Sequence, residues 1–369
     1  MTAPNFSNHL YLPDIQPKRC VVKVGSSLLA KPTAPYLNAH RMSNIVRQIS
    51  ILLDNGWQVI LVSSGAVAGG MSALGIDYRP EKMTDLQACA AVGQVILMKR
   101  YARLFLYKGK VCAQVLLTAE DLRTRSRYCN AKSTIMKLLE HGVVPVVNEN
   151  DTVSTEEIAF GDNDRLSALV AGTCEAKVLI ILSDVDGLYS DLRHRTVVPI
   201  VERIDQNIKG MVRKKQGKTT VGGMATKLQA AEIASRWGIY TIVTSGHRKD
   251  VLVDLLIRRR HIGTLFLPAK KRTESKKMWI AYMAQIKGDL IIDKGAKEAV
   301  VSGGKSLLCA GVKQIVGRFN KGDVVRIVCE GEEVGRGIAG MDSEEMNQFL
   351  GKRAHKEAVH RDRLVIWMS

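Results

Sequence analysis

The chain has 369 residues, with 54 Lys and Arg against 36 Asp and Glu, a formal charge of +18 at pH 7. Hydrophobic residues make up 46% and charged residues 24%, a balance that excludes a disordered chain and gives ample material for a core. The length predicts two domains with room for a third, no apolar run is long enough for a membrane span, and the N-terminus lacks the basic-then-apolar order of a secretory signal.

The seven cysteines stand at 20, 89, 112, 129, 174, 309 and 329 and form no C-x-x-C pair. The expectation is free thiols in a reducing cytoplasm, with neither a zinc site nor a disulfide framework. The basic charge is spread along the chain, since residues 271–369 carry about +5, which is what their share of the length predicts. It reads as a solvated basic surface, and a polyanion partner such as RNA is the competing reading.

Up to about residue 265 strands and helices alternate. Val21–Val24 is a short buried strand, helical spacing runs from Leu37 to Leu53, and Trp57–Val62 is the next strand. Further apolar runs at Val111–Leu117, Val143–Val147, Val178–Leu182 and Tyr240–Val243 read as strands. Helices are clearest at Met83–Phe105, Asn130–Glu140, Asp164–Ala171 and Met224–Trp237. Continuous apolar strands mean that both faces are covered, and alternation with helices means crossover units. The fold class is α/β, an αβα sandwich with a mostly parallel sheet.

The pattern changes at residues 266–276, a basic linker containing a proline. Beyond it, Leu290–Ile292, Gly311–Val316, Val324–Val328 and Gly337–Ala339 read as strands of a small β-rich barrel or sheet, with a helix from Met341 to Leu350. The domains are therefore 1–17 as an extension, 18–265 as the larger domain, 266–276 as the linker, 277–355 as the β-rich domain and 356–369 as a tail.

Three patterns imitate phosphate loops. Gly304-Lys305-Ser306 and Gly217-Lys218-Thr219 end like a P-loop, but the glycine required five residues before the loop's second glycine is replaced by Ala299 and Val212. Gly335-Arg-Gly337-Ile-Ala-Gly340 matches G-x-G-x-x-G but lies in the β-rich domain, away from any βαβ unit, and reads as a turn or bulge.

In a parallel α/β sheet ligands sit beyond the carboxyl ends of the strands. After the first strand comes Lys23-Val-Gly25-Ser26-Ser27, and after the second Ser63-Ser64-Gly65-Ala66 at a helix start, where free N–H groups favour an anion. After Val143–Val147 come Asn148, Glu149, Asn150 and Asp151, followed by Asp162, Asn163 and Asp164 before a helix. These have two readings: helix caps, or groups that hold an ammonium and orient lysines. Ser183-Asp184 ends another strand, and Val221-Gly222-Gly223-Met224-Ala225-Thr226 leads to Lys227 one turn into a helix. Two lysines at one crevice, with helix N-termini and carboxylates around them, suit phosphoryl transfer. No Ser/His/Asp, Cys/His or metal-ligand cluster competes.

These segments, in this order and spacing, resemble the glutamate 5-kinases of the amino acid kinase family, and residues 277–355 resemble a PUA domain. The resemblance implies that ATP phosphorylates the side-chain carboxylate of L-glutamate, the first step toward proline, with Mg²⁺ carried by the nucleotide and no metal site on the protein. It implies that Lys23 and Lys227 flank the transferred phosphoryl group and that Asp164 orients them. Ser64, Gly65, Asp151 and Asn163 would hold glutamate, with Asn148 and Asp162 nearby. Lys23, Ser183, Asp184 and the stretch Val221, Gly222, Gly223, Met224, Ala225, Thr226 and Lys227 would contact the nucleotide. Proline as a feedback inhibitor, a homodimer or homotetramer, and a cytoplasmic location follow from the same resemblance. Val221 departs from it, since a hydroxyl residue is common there, and Ser26 and Ser183 stand where threonine is common. Arg213–Lys218 is more basic than the pattern, and residues 1–17 fall outside it. The alternatives are another amino acid kinase, acting on aspartate or acetylglutamate, and an RNA-binding PUA protein.

Overall fold

The computed structural model describes residues 12–13, 15–30, 37–153, 163–191, 194–213, 223–269, 275–352 and 356–367. Contacts divide the chain into two units, Met1–Asp121 with Cys129–Arg272, and Leu122–Tyr128 with Thr273–Ser369.

In the first unit the continuous apolar runs become buried strands. They are β1 (Arg19–Val24), β2 (Gln58–Ser63), β3 (Cys112–Leu117), β4 (Val144–Glu149) and β5 (Val178–Ser183). The short strands β6 (Tyr189–Asp191), β7 (Thr196–Val197) and β8 (Ile200–Val201) follow, then β9 (Tyr240–Ser245) and β10 (Thr264–Phe266). Eight of them form one sheet in the order β3-β4-β2-β1-β5-β9-β10-β8, while β6 pairs with β7. The pairings from β3 to β9 are all parallel. β10 then runs antiparallel to β9, with β8 parallel to β10.

Parallel pairing puts the carboxyl ends of six strands along one edge. β2 lies on one side of β1 and β5 on the other, so the crevice opens at the end of β1. Both faces of β1 are covered. Cys20, Val22 and Val24 join a cluster with Ile45 and Ile49 of helix Ala39–Asp54, and with Leu252 and Leu255 of helix Val251–Leu256. Alternation along the strand sends Val21 and Lys23 to the opposite face, where helices Asn163–Thr173 and Met224–Arg236 pack on each other and the former packs on β1. Each fully buried Val, Leu or Ile stabilises this sandwich by about 1.5–3 kcal/mol relative to exposure.

Two helices approach at backbone distance. Helix Ala66–Leu74 follows β2, and helix Met83–Tyr107 crosses it. A Cβ added to Gly70 would stand 1.8 Å from the Cys89 carbonyl oxygen, and one added to Gly93 would stand 1.7 Å from the Ala66 carbonyl oxygen. Only hydrogen fits at these two positions, and their contact fixes where the first helix begins.

The second unit contains β11 (Ile286–Ile292), β12 (Leu307–Leu308), β13 (Val312–Gly317), β14 (Val324–Cys329), β15 (Glu332–Ile338), β16 (Glu357–Val359) and β17 (Leu364–Ile366). They form a five-stranded sheet, β13-β11-β14-β15-β17, and a pair, β12-β16. Among the described residues β13 and β17 do not pair, so the unit is an open β-rich sheet and the barrel alternative is not closed there. The G-x-G-x-x-G segment belongs to β15 and the turn after it. A Cβ on Gly335 would meet the Val365 carbonyl at 2.2 Å and one on Gly337 the Val359 side chain at 2.3 Å, so these glycines admit neighbouring strands. The helix read at Met341–Leu350 is shorter, Ser343–Asn347. Helix Lys294–Val301 was not legible as one. All seven cysteines are free, and only Cys129 is exposed.

Candidate active site

Lys23 is the penultimate residue of β1, opposite Val62 of β2 and Ile181 of β5. A lysine inside a central strand is costly to bury unless its charge is met. It is met by Asp164, in the first turn of helix Asn163–Thr173. Lys23 Nζ lies 2.5 Å from Asp164 Oδ1, and Lys227 Nζ lies 3.2 Å from Asp164 Oδ2. Exposure of the whole residues is 3% for Lys23, 6% for Lys227 and 0% for Asp164, which makes this a buried cation–anion–cation bridge.

Thr226 adds a third restraint, its hydroxyl lying 2.9 Å from Asp164 Oδ2 and 2.8 Å from the Gly223 carbonyl oxygen. Burial pushes the Asp164 carboxyl upward. The Lys23 and Lys227 ammonium groups and the bonds from Lys23 and Thr226 outweigh it and hold the carboxyl below its usual range. The bridge is an ionised carboxylate between two ammonium groups, with net charge +1.

Two features leave room for an anion at this charge. A Cβ on Gly25 would stand 3.6 Å from Lys23 Nζ, so the glycine keeps the space over the ammonium clear. Gly223 begins helix Met224–Arg236 with no side-chain cap, which leaves first-turn N–H groups for a ligand. Gly65, at φ 108°, occupies the left-handed region and begins helix Ala66–Leu74, also without a side-chain cap.

Beside the bridge lies an amide-rich pocket wall. Asn163 Nδ2 donates to Ser64 Oγ at 2.8 Å, to Asn148 Oδ1 at 3.0 Å and to the Ser63 carbonyl at 3.3 Å. Asn148, at the end of β4, donates through Nδ2 to Gln94 Oε1 at 3.0 Å. Asn163 Oδ1 is buried with no hydrogen-bond partner among the described residues. Asp151 is half-buried in the turn after β4. Its carboxyl is pushed up to about 6 by burial and by Glu149, with Arg79 pulling the other way.

The structure thus brings together Lys23, Lys227, Asp164 and Thr226, and next to them Ser64, Asn148 and Asn163. Ser183 ends β5 and lies 2.9 Å through Oγ from Oδ1 of the exposed Asp184. Gly223, Met224 and Ala225 form the entry to the Lys227 helix. Asp162, Val221 and Gly222 lie outside the described residues, as does the basic stretch from 214 to 220. Sequence reasoning missed Gln94. Its signal was a polar residue on the buried stripe of helix Met83–Tyr107, which also carries Ala90, Leu97 and Tyr101. It also missed that Thr226 bonds to Asp164 as well as lining the loop.

The chain is similar to known proteins over most of its length. Residues 18–245 match the Amino acid kinase family, and residues 288–360 match the PUA domain. The chain is 41% identical to a glutamate 5-kinase of Moorella thermoacetica over 95% of its own length and 97% of that protein. It is 44% identical to a glutamate 5-kinase of Thermus thermophilus over 96% and 98%. A solved UMP kinase structure from Bacillus anthracis is similar at a TM-score of 0.46 and 17% identity, covering 68% of this chain and 96% of that one.

Proposed function

The chain belongs to the amino acid kinase family, among the glutamate 5-kinases, and from that premise we propose that it transfers the γ-phosphoryl group of ATP to the side-chain carboxylate of L-glutamate. The products are L-glutamyl 5-phosphate and ADP, and the reaction is the first step toward proline. A side-chain oxygen of glutamate attacks the γ-phosphorus while the bond to the β,γ-bridging oxygen breaks, and ADP leaves with that oxygen. The nucleophile is already ionised at neutral pH, since a glutamate side chain has a pKa of about 4.3. No general base is needed, which fits a site built from positive charge and N–H groups.

The observation that carries this reading is the Asp164 carboxylate shared by two buried lysines. In the proposed roles Lys23 and Lys227 stabilise charge on the phosphoryl oxygens from two sides, and Asp164 holds both in place. Ser64, the Gly65 turn, Asn163 and Asp151 hold glutamate, with Asn148 and Asp162 close by. Asp151 and Asn163 Oδ1 offer acceptors to the amino group. Ser183, Asp184 and residues 221–227 receive the nucleotide.

Among the described residues no three His, Cys, Asp or Glu side chains gather to hold a metal ion. In this reading Mg²⁺ enters on the phosphates of ATP and neutralises part of their charge. Among the described residues no helix is long and apolar enough to cross a membrane. A cytoplasmic location, feedback inhibition by proline and a homo-oligomeric state complete the proposal, with 18–265 as the catalytic domain and 277–355 as the PUA domain.

The test is trapping. An acyl phosphate is captured by hydroxylamine as a hydroxamate, so incubation with MgATP, glutamate and hydroxylamine should yield glutamyl hydroxamate and ADP in equal amounts. ADP without hydroxamate would mean that phosphate is lost to water and not transferred to the carboxylate.

A further inference from the structure

We propose that Gln94 is a positioning residue that helps hold the polarity of the substrate-facing amide of Asn163. The inference rests on glutamate being the substrate. Gln94 lies on helix Met83–Tyr107 and is only 9% exposed. Its Oε1 accepts from Asn148 Nδ2 at 3.0 Å, and Asn148 Oδ1 in turn accepts from Asn163 Nδ2 at 3.0 Å. Three side-chain amides therefore point the same way in series.

An amide can turn over and exchange its donor and acceptor ends at little steric cost, so its direction is chosen by its partners. The Ser63 backbone carbonyl can only accept, so Asn163 presents its nitrogen, Asn148 turns its oxygen to that nitrogen, and its own nitrogen is received by Gln94 Oε1. Asn163 then spends its nitrogen on Asn148, Ser64 and Ser63, and its Oδ1 is turned away from all three. That oxygen is buried and has no partner among the described residues. A buried unpaired carbonyl oxygen is costly in the empty protein and favours a ligand that brings a donor. The amino group of an α-amino acid is such a donor.

Gln94 closes the series as its last acceptor. Its Nε2 is buried and has no partner among the described residues, so its polar engagement there is the acceptance from Asn148. The Ser63 carbonyl, 3.3 Å from Asn163 Nδ2, is a second restraint on the same amide. Loss of Gln94 should therefore weaken substrate binding and not abolish it.

The experiment uses the full chain with MgATP and three variants, Gln94→Leu, Gln94→Met and Gln94→Glu. Unfolding midpoints are measured first. For the leucine and methionine variants, the KM for glutamate should rise on the order of tenfold, the loss expected for one misdirected buried hydrogen bond. Turnover at saturating glutamate should stay within about twofold, and the KM for ATP should not move. Gln94→Glu keeps an acceptor in the place of Oε1 and should bring the glutamate KM back to within about threefold of the parent. An unchanged glutamate KM in the folded variants overturns the inference. So do parallel rises in both KM values, a glutamate variant as weak as the methionine one, or failure of all three to fold. A parent chain that turns over no glutamate is a different result: it overturns the substrate reading, and the inference falls with it.

Discussion

Lys23 and Lys227 share one buried carboxylate, so removing either changes both charge and geometry at the crevice. Lys23→Ala and Lys227→Ala should each lower kcat by at least about 10²-fold, because each deletes a preorganised charge aimed at the transferring phosphoryl group. Circular dichroism should show the fold retained, and unchanged turnover would remove the assigned roles. Asp151 provides the pH dependence. Its carboxyl titrates near about 6 in the folded chain, against 3.8 ordinarily. Protonation removes the negative charge proposed to face the amino group, so the KM for glutamate should rise as pH falls through 6 while the KM for ATP stays level. The same shift has a stability sign. The folded state holds this proton more tightly than the unfolded state, so the group's contribution is greatest below pH 3.8 and is lost as pH rises through 6. Asp151→Asn should therefore raise the unfolding midpoint at pH 7, and the gain should shrink toward pH 4. A gain that grows toward acid pH would contradict the assigned environment. These residues were legible as a set because strand ends in a parallel sheet advertise themselves. Their bonds were not: nothing in Lys23, Thr226 and Lys227, separated by up to 204 positions, states that the Asp164 carboxylate receives all three.

The crossing of helices Ala66–Leu74 and Met83–Tyr107 sets where Gly65 and Gln94 stand. Gly93→Ala places a methyl carbon against the Ala66 carbonyl, and Gly70→Ala places one against that of Cys89. Neither backbone can yield locally, so each substitution should destabilise by about 1–3 kcal/mol or more, read as a lower denaturant midpoint at unchanged slope. Because Ala66 follows the Gly65 turn, Gly93→Ala should also raise the KM for glutamate. A variant with both properties unaltered would refute the close crossing. The main strands and long helices were readable, since apolar runs and 3.6-residue spacing extend far enough to count. Helix Ala66–Leu74 was visible only as a start, because its small residues, Ala66, Ala68, Gly69 and Gly70, carry little pattern. β6, β7, β8 and β10 have only two or three residues each, too few for any period to show. β11 begins at Ile286, four residues before its apolar core, because Arg326 of β14 pairs with Asp289 across the sheet and lets a carboxylate sit in the strand.

At the scale of the molecule the +18 charge was the first feature to suggest a partner. Two of its cations are drawn into the site, and others are spent in ion pairs, such as Lys132 with Glu175 and Arg258 with Asp254. RNA binding measured by anisotropy should accordingly be undetectable near physiological salt. A tight complex whose affinity falls steeply with salt would instead reveal a nucleic-acid site. The αβα sandwich was legible because strand composition reports burial on both faces. The β-rich unit was legible only as short strands between glycines, since its order β13-β11-β14-β15-β17 depends on pairings that composition does not encode. The central claim is the acceptor. ADP release should be measured with glutamate, aspartate, N-acetylglutamate, carbamate and uridylate in parallel, each at the same concentration with MgATP. The account predicts strong release with glutamate and little with the other four. Equal or greater release with aspartate or N-acetylglutamate, or release confined to carbamate or uridylate, would contradict it.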